Sequence, residues 1–134
     1  MKKNFSGLIV PLVTPFKNGE IDFYSLEKII DFLLENGADG FVSLGTTAET
    51  PTLSEKERDE ILTFTIGRSH GKFVIAGAGS NCTATAVKLS KRAESLGADG
   101  LLSVTPYYNK PQEDGLFAHY RAISNSVKLP VILY

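Results

Sequence analysis

Five short apolar runs rich in β-formers recur along the chain at nearly even intervals, residues 8–13, 41–44, 73–76, 101–104 and 131–134, with starts 33, 32, 28 and 30 residues apart. That interval is the length of a strand plus the helix that returns over it, so the rhythm points to repeated βα units. The runs are apolar at consecutive positions rather than at alternate ones, as parallel strands covered on both faces require. Between them the apolar residues change to helical period: Leu26, Ile29, Ile30, Leu33 and Leu34; then Cys82, Ala86, Leu89, Ala93 and Leu96; then Leu116, Tyr120, Ile123 and Val127. Cys82 is therefore expected to be a buried small apolar residue on its helix stripe. Ser54 followed by Glu57 forms a capping-box signal for a helix start, and Asn36-Gly37 is a left-handed stop for the preceding one.

An internal repeat reinforces the rhythm. Gly37-Ala38-Asp39-Gly40-Phe41-Val42-Ser43-Leu44 returns as Gly97-Ala98-Asp99-Gly100-Leu101-Leu102-Ser103-Val104, 60 residues later. Repetition every second unit suits a (β/α)8 barrel, whose interior layers draw side chains from alternate strands; the alternative is one turn solved twice. Such a barrel needs ~200–250 residues. The 134 residues supply four βα units and a fifth strand. The expected fold is thus α/β, the N-terminal half of a (β/α)8 TIM barrel, with residues 1–134 as one partial domain cut within its fifth strand. A five-stranded doubly wound sheet of flavodoxin type fits the length too, but it wants a fifth helix over its last strand.

Composition excludes several function classes. Fourteen basic and fifteen acidic side chains give a net charge of -1, which provides no field to hold nucleic acid or an anionic membrane. No apolar stretch approaches the ~18 residues of a membrane span. Met1-Lys2-Lys3 ahead of Gly7-Leu8-Ile9-Val10 has the outline of a signal peptide, but Pro11 breaks the run and no small-residue cleavage site follows. The single cysteine and the lack of a Cys/His cluster point to a reducing, cytoplasmic setting without structural zinc. The sequons at Asn4 and Asn81 are then chance matches.

Parallel α/β sheets carry their chemistry at the carboxyl ends of the strands. After the second run, Gly45-Thr46-Thr47-Ala48-Glu49-Thr50 places two hydroxyls beside turn amides, a receptor for a small carboxylate or phosphate, or simply a capped loop. After the third, Ala76-Gly77-Ala78-Gly79-Ser80-Asn81 resembles a dinucleotide loop, but Cys82 replaces the third glycine, which favours a small-residue turn into a helix. The fourth leads into Thr105-Pro106-Tyr107-Tyr108-Asn109-Lys110-Pro111, two tyrosines in a stiff loop that suit either a positioned phenol or packing. Tyr134 ends the fifth run, and strand geometry sets it near Thr46 and the tyrosine loop. His70 and His119 fall away from these junctions and read as structural.

Those junction motifs, Gly45-Thr46-Thr47-Ala48-Glu49, Thr105-Pro106-Tyr107-Tyr108-Asn109 and Ile132-Leu133-Tyr134, resemble the pyruvate-dependent class I aldolase family that includes N-acetylneuraminate lyase. Paired threonines and the Tyr-Tyr-Asn turn look like the branch that condenses pyruvate with L-aspartate 4-semialdehyde toward diaminopimelate and lysine; the neuraminate lyases carry Gly-Ser-Thr and another aromatic turn. The resemblance implies a lyase that forms a Schiff base with pyruvate and needs no cofactor or metal. Thr47 would hold the pyruvate carboxylate, and Thr46, Tyr108 and Tyr134 would form a hydroxyl relay with Tyr134 as proton donor and acceptor. The residue matching Tyr108 reaches a neighbouring subunit's site, which implies a homodimer as the least active unit and a homotetramer as the usual assembly. The family's Schiff-base lysine lies on the sixth strand and its aldehyde-binding arginine follows the fifth, so both match positions past Tyr134, and the fragment alone is expected to be inactive. Lys110 and Lys17, in loops on the catalytic face, lack the burial that would activate a substitute. Lysine-inhibited members carry a histidine and a glutamate at an interface pocket where this chain has Glu55, Arg58 and Thr85, against inhibition by lysine, although Asn81 and Tyr107 match. The alternatives are a related aldolase using another aldehyde, a half-barrel that only binds a small carboxylate, and a flavodoxin-type nucleotide binder.

Overall fold

The structure, a computed structural model, describes residues 4–134; Met1-Lys2-Lys3, the charged start of the leader-like stretch, lies outside the described residues. Five parallel strands form one sheet: β1 (Ile9–Pro11), β4 (Gly40–Ser43), β5 (Phe73–Gly77), β6 (Gly100–Ser103) and β7 (Val131–Leu133). Four helices alternate with them: α1 (Phe23–Glu35), α2 (Glu55–Arg68), α3 (Thr83–Leu96) and α4 (Glu113–Ser126). The strand order β1-β4-β5-β6-β7 runs one way along the chain without reversal. Each helix packs on the next, α1 on α2, α2 on α3 and α3 on α4. A doubly wound sheet reverses its order at a switch point and splits its helices between two faces, so this arrangement is half of a (β/α)8 barrel and not a flavodoxin-type fold.

The core fills the layer between the strands and this row of helices. Leu26 and Ile30 of α1, Phe41 of β4, Leu62 of α2, Val74 of β5 and Leu101 of β6 are fully buried there. Truncating one of the larger of these, such as Phe41, to alanine costs about 3–5 kcal/mol. Ser43 is buried on the same face and lies 3.5 Å from Thr65 of α2, a hydroxyl pair that lets a polar strand residue face a helix. The three central strands are mostly buried, whereas β1 and β7 are half-exposed and each pairs on one side only among the described residues.

The internal repeat is one turn used twice, and it does a particular job. Gly37 and Gly97 take φ of 89° and 94° to stop α1 and α3, a left-handed conformation that glycine alone adopts without strain. The alanines that follow are buried under the sheet. The aspartates then brace the neighbouring strand: Asp39 accepts from the Leu8 N–H at 2.8 Å, and Asp99 from the Val74 N–H at 2.8 Å. Each aspartate N–H returns a bond to the same residue's carbonyl.

Two features depart from expectation. A small antiparallel hairpin, β2 (Phe16–Lys17) and β3 (Glu20–Ile21), interrupts the path from β1 to α1. Its turn residues Asn18 and Gly19 both have positive φ, 54° and 83°, the geometry of a tight primed turn, and the Asn-Gly pair was its signal. Cys82 is not buried on a helix stripe. It is the N-cap of α3, in extended conformation and exposed, because Ser80-Asn81-Cys82 is still loop and the helix begins at Thr83. The buried face of α3 is carried by Ala86, Ser90 and Ala93, with Ser90 returning its hydroxyl proton to the Ala86 carbonyl.

Candidate active site

The carboxyl ends of β4, β5, β6 and β7 meet around a small pocket of about 60 Å³, lined by Leu44, Gly45, Thr46, Thr50, Arg58, Gly77, Gly79, Leu102, Val104 and Tyr134. Backbone closeness is what shapes it. A Cβ on Gly77 would collide with the Leu44 carbonyl and one on Gly79 with the Val104 N–H, so Ala76-Gly77-Ala78-Gly79 is the small-residue turn expected, built to let strand-end loops touch. Larger cavities exist, of about 350 Å³ between α2 and α3 and about 660 Å³ against α4 and β7, but they lie on helix faces where this fold does not place chemistry.

Thr46 and Thr47 sit in a single 3-10 turn, Thr46–Ala48, entered by Leu44 with φ 60° and left by Glu49 with φ 56°. Left-handed backbone at a non-glycine residue on each side forces the sharp change of direction that exposes both hydroxyls. Buried Thr14, from the loop after β1, donates to the Ala48 carbonyl at 2.8 Å and ties this turn to the first strand end. The N–H groups of the turn's first residues have no partner inside the turn, so a carboxylate beside Thr46 and Thr47 meets amides as well as hydroxyls.

Arg58, from the first turns of α2, closes the pocket wall and donates from Nη2 to the Gly77 carbonyl at 3.3 Å. Burial pulls its guanidinium below its ordinary value, while Tyr107, Asp59 and Glu55 work the other way; the group remains cationic at neutral pH. Sequence reasoning placed Arg58 only by resemblance, at the interface pocket. Its presence beside Thr46 depends on α2 crossing the end of β5, which no local spacing encodes.

Tyr134 lines the pocket from the end of β7 and is 68% exposed. Thr46 and Tyr134 are therefore brought together as expected, and Thr47 lies in the same turn. Tyr108 is not: it is 96% exposed, takes φ 68° and is not among the residues that line the pocket. The loop is nonetheless anchored, since Asn109 donates from its N–H to the Tyr107 carbonyl at 2.9 Å and from Nδ2 to the Asn81 carbonyl at 3.1 Å. Lys17, on β2, and Lys110 are exposed and line no part of the pocket. His119 is buried at the α3–α4 contact, with Thr83 Oγ1 2.9 Å from Nδ1, and His70 is an exposed turn residue after α2; both sit away from the site. Among the described residues no three His, Cys, Asp or Glu side chains gather to hold a metal ion.

Comparison with known proteins places this geometry in context. Residues 4–134 match the Dihydrodipicolinate synthetase family. A 4-hydroxy-tetrahydrodipicolinate synthase of Methanocaldococcus jannaschii is 50% identical over 131 residues, covering 97% of this chain and 45% of that protein. The dihydrodipicolinate synthase structure from Thermotoga maritima superposes with a TM-score of 0.95 at 48% identity, covering 97% of this chain and 44% of that one. A third, the chloride-inhibited dihydrodipicolinate synthase of Acinetobacter baumannii complexed with pyruvate, gives a TM-score of 0.92 at 46% identity over 96% of this chain and 45% of that one. The chain thus spans about half the length of the relatives it matches.

Proposed function

The chain belongs to the dihydrodipicolinate synthetase family, and from that premise we propose that it works within a 4-hydroxy-tetrahydrodipicolinate synthase, condensing pyruvate with L-aspartate 4-semialdehyde on the way to diaminopimelate and lysine. The observation that carries this reading is the meeting of Thr46 and Tyr134, remote in sequence, in one strand-end pocket. A lysine from the sixth strand, past Tyr134, would attack the pyruvate ketone and expel water to form a Schiff base. Thr47 and the turn amides would hold the carboxylate. Loss of a methyl proton then gives an enamine, whose carbon attacks the aldehyde while the new alkoxide takes up a proton. Tyr134 would move those protons with Thr46 as its neighbour in the relay, a reading supported by the pocket that both line.

Tyr108 would complete the relay of a second subunit, which its near-complete exposure supports, so the working unit is a homodimer and the assembly a homotetramer. The balanced charge and the single thiol favour a cytoplasmic enzyme, and no helix among the described residues is long and apolar enough to cross a membrane. The test is covalent trapping in the protein whose chain continues through the sixth strand. Incubation with pyruvate and borohydride should add one reduced pyruvate per chain, read by intact mass, and L-aspartate 4-semialdehyde should consume pyruvate in its absence. A chain that binds pyruvate without an adduct would overturn the Schiff-base reading.

A further inference from the structure

Tyr134 lies at a strand end, and strand ends are loosely held unless something fixes the last peptide. Here an unusual set of donors converges on it. The Tyr134 main-chain oxygen accepts from the Thr105 N–H at 2.7 Å and from Thr105 Oγ1 at 2.9 Å. Tyr120, from the middle of α4, brings its hydroxyl to 3.0 Å from that same Thr105 Oγ1, and to 3.4 and 3.5 Å from the Ser103 and Tyr134 main-chain oxygens. These oxygens only accept, so the Thr105 and Tyr120 hydroxyls share two protons among the Ser103 and Tyr134 oxygens and one another. The result is one hydrogen-bonded cluster of Tyr120, Thr105 and the Tyr134 main-chain oxygen, whose bonds polarise one another.

We infer that Tyr120, acting through Thr105, is a positioning residue that fixes the Tyr134 peptide and so aims the Tyr134 phenol into the strand-end pocket. The inference rests on reading Tyr134 as the proton donor and acceptor. Its physical content is that a helix hydroxyl clamps the ends of β6 and β7 together: the Tyr134 N–H is bound to the Ser103 carbonyl at 3.0 Å, and Tyr120 sits over both strand ends. With the N–H and the main-chain oxygen of Tyr134 both held, the direction of its Cα–Cβ bond is constrained. A relay that depends on hydroxyl distances of about 3 Å is sensitive to that direction.

Tyr120→Phe keeps the ring and its edge-on contact with His119 while deleting only the hydroxyl. Thr105→Val keeps the volume and deletes the hydroxyl, and Thr105→Ser restores it. In the protein used for trapping, each deletion should lower kcat ~10-fold at unchanged KM for pyruvate, and Thr105→Ser should recover most of the loss. A spectroscopic readout accompanies the kinetics: with tyrosine labelled at its ring Cζ carbon, the Tyr134 NMR signal, assigned by its loss in Tyr134→Phe, should shift or broaden in both deletions while that of exposed Tyr24 stays in place. An unmoved Tyr134 signal with wild-type kcat in Tyr120→Phe would overturn the inference and leave Tyr120 as ring packing. If Tyr134→Phe itself turns over normally, the catalytic reading of Tyr134 fails instead, and the NMR signal alone decides whether Tyr120 positions it.

Discussion

Thr46 and Tyr134 each bring one hydroxyl to a pocket that is open to water, so neither is held there by burial. Their place is set by backbone, a left-handed entry at Leu44 for one and a clamped strand end for the other. Removing either hydroxyl should therefore leave the fold intact and act on chemistry. Thr46→Val and Tyr134→Phe are each expected to slow condensation by ~10²-fold or more, and wild-type turnover in steady-state kinetics would remove that residue from the relay. His119 makes a different kind of prediction. Burial holds its imidazole below the ordinary value, since a proton there would create a buried cation. The unfolded chain then takes up the proton first, so stability is complete above ~6.5 and falls as pH drops from there through the lower folded value. Urea midpoints at two pH values on either side of that point should fall less in His119→Asn than in the parent chain, and equal falls would clear His119 of the effect. Cys82 shows how a residue is misread: one position separates the last loop residue from the first helical one, and periodicity cannot resolve that boundary.

The helices owe their ends to short-range chemistry and their positions to the sheet. In α2 the Ser54 hydroxyl accepts from the Glu57 N–H at 3.3 Å while the Glu57 carboxylate accepts from the Ser54 N–H at 2.8 Å, a closed pair of bonds three residues apart. This bonding holds the Glu57 carboxyl below its usual range. Ser54→Ala should cost about 1 kcal/mol in urea denaturation, with a loss of a tenth of that or none showing that the cap is redundant. Across the helix row, Arg68 of α2 reaches Glu27 and Asp31 of α1, and Arg92 of α3 reaches Asp59 of α2. Such pairs set register more than stability, because both partners stay partly wet. The Gly-Ala-Asp-Gly turns were legible as turns. The work of their aspartates was not, because each grips a strand about 25 to 31 residues away in sequence.

For the molecule as a whole, β1 and β7 each pair on one side only among the described residues, and apolar surface lies open beside them. Phe117 and Leu133 are exposed near β7, Leu8 and Val13 near β1, and α1 shows Tyr24 and Phe32 to solvent. Unpaired strand edges with apolar flanks associate. Residues 1–134 expressed alone should therefore self-associate with rising concentration in sedimentation, and Phe117→Glu with Leu133→Lys should weaken that association; a monomer at every concentration would show the edges to be quiet. The spacing of the apolar runs, their unbroken apolar character and the cap signals were enough to read half a barrel, because each depends on residues near one another in the chain. The strand-end positions of Thr46, Thr47 and Tyr134 were legible for the same reason, as these residues stand directly at the ends of the runs. What the tertiary structure alone decided is which of them share a cavity: Tyr108 left exposed, Arg58 brought in from α2, Tyr120 laid over the strand ends. Those outcomes follow from how helices cross the sheet and which way side chains leave the backbone, and both are fixed by packing between segments distant in sequence.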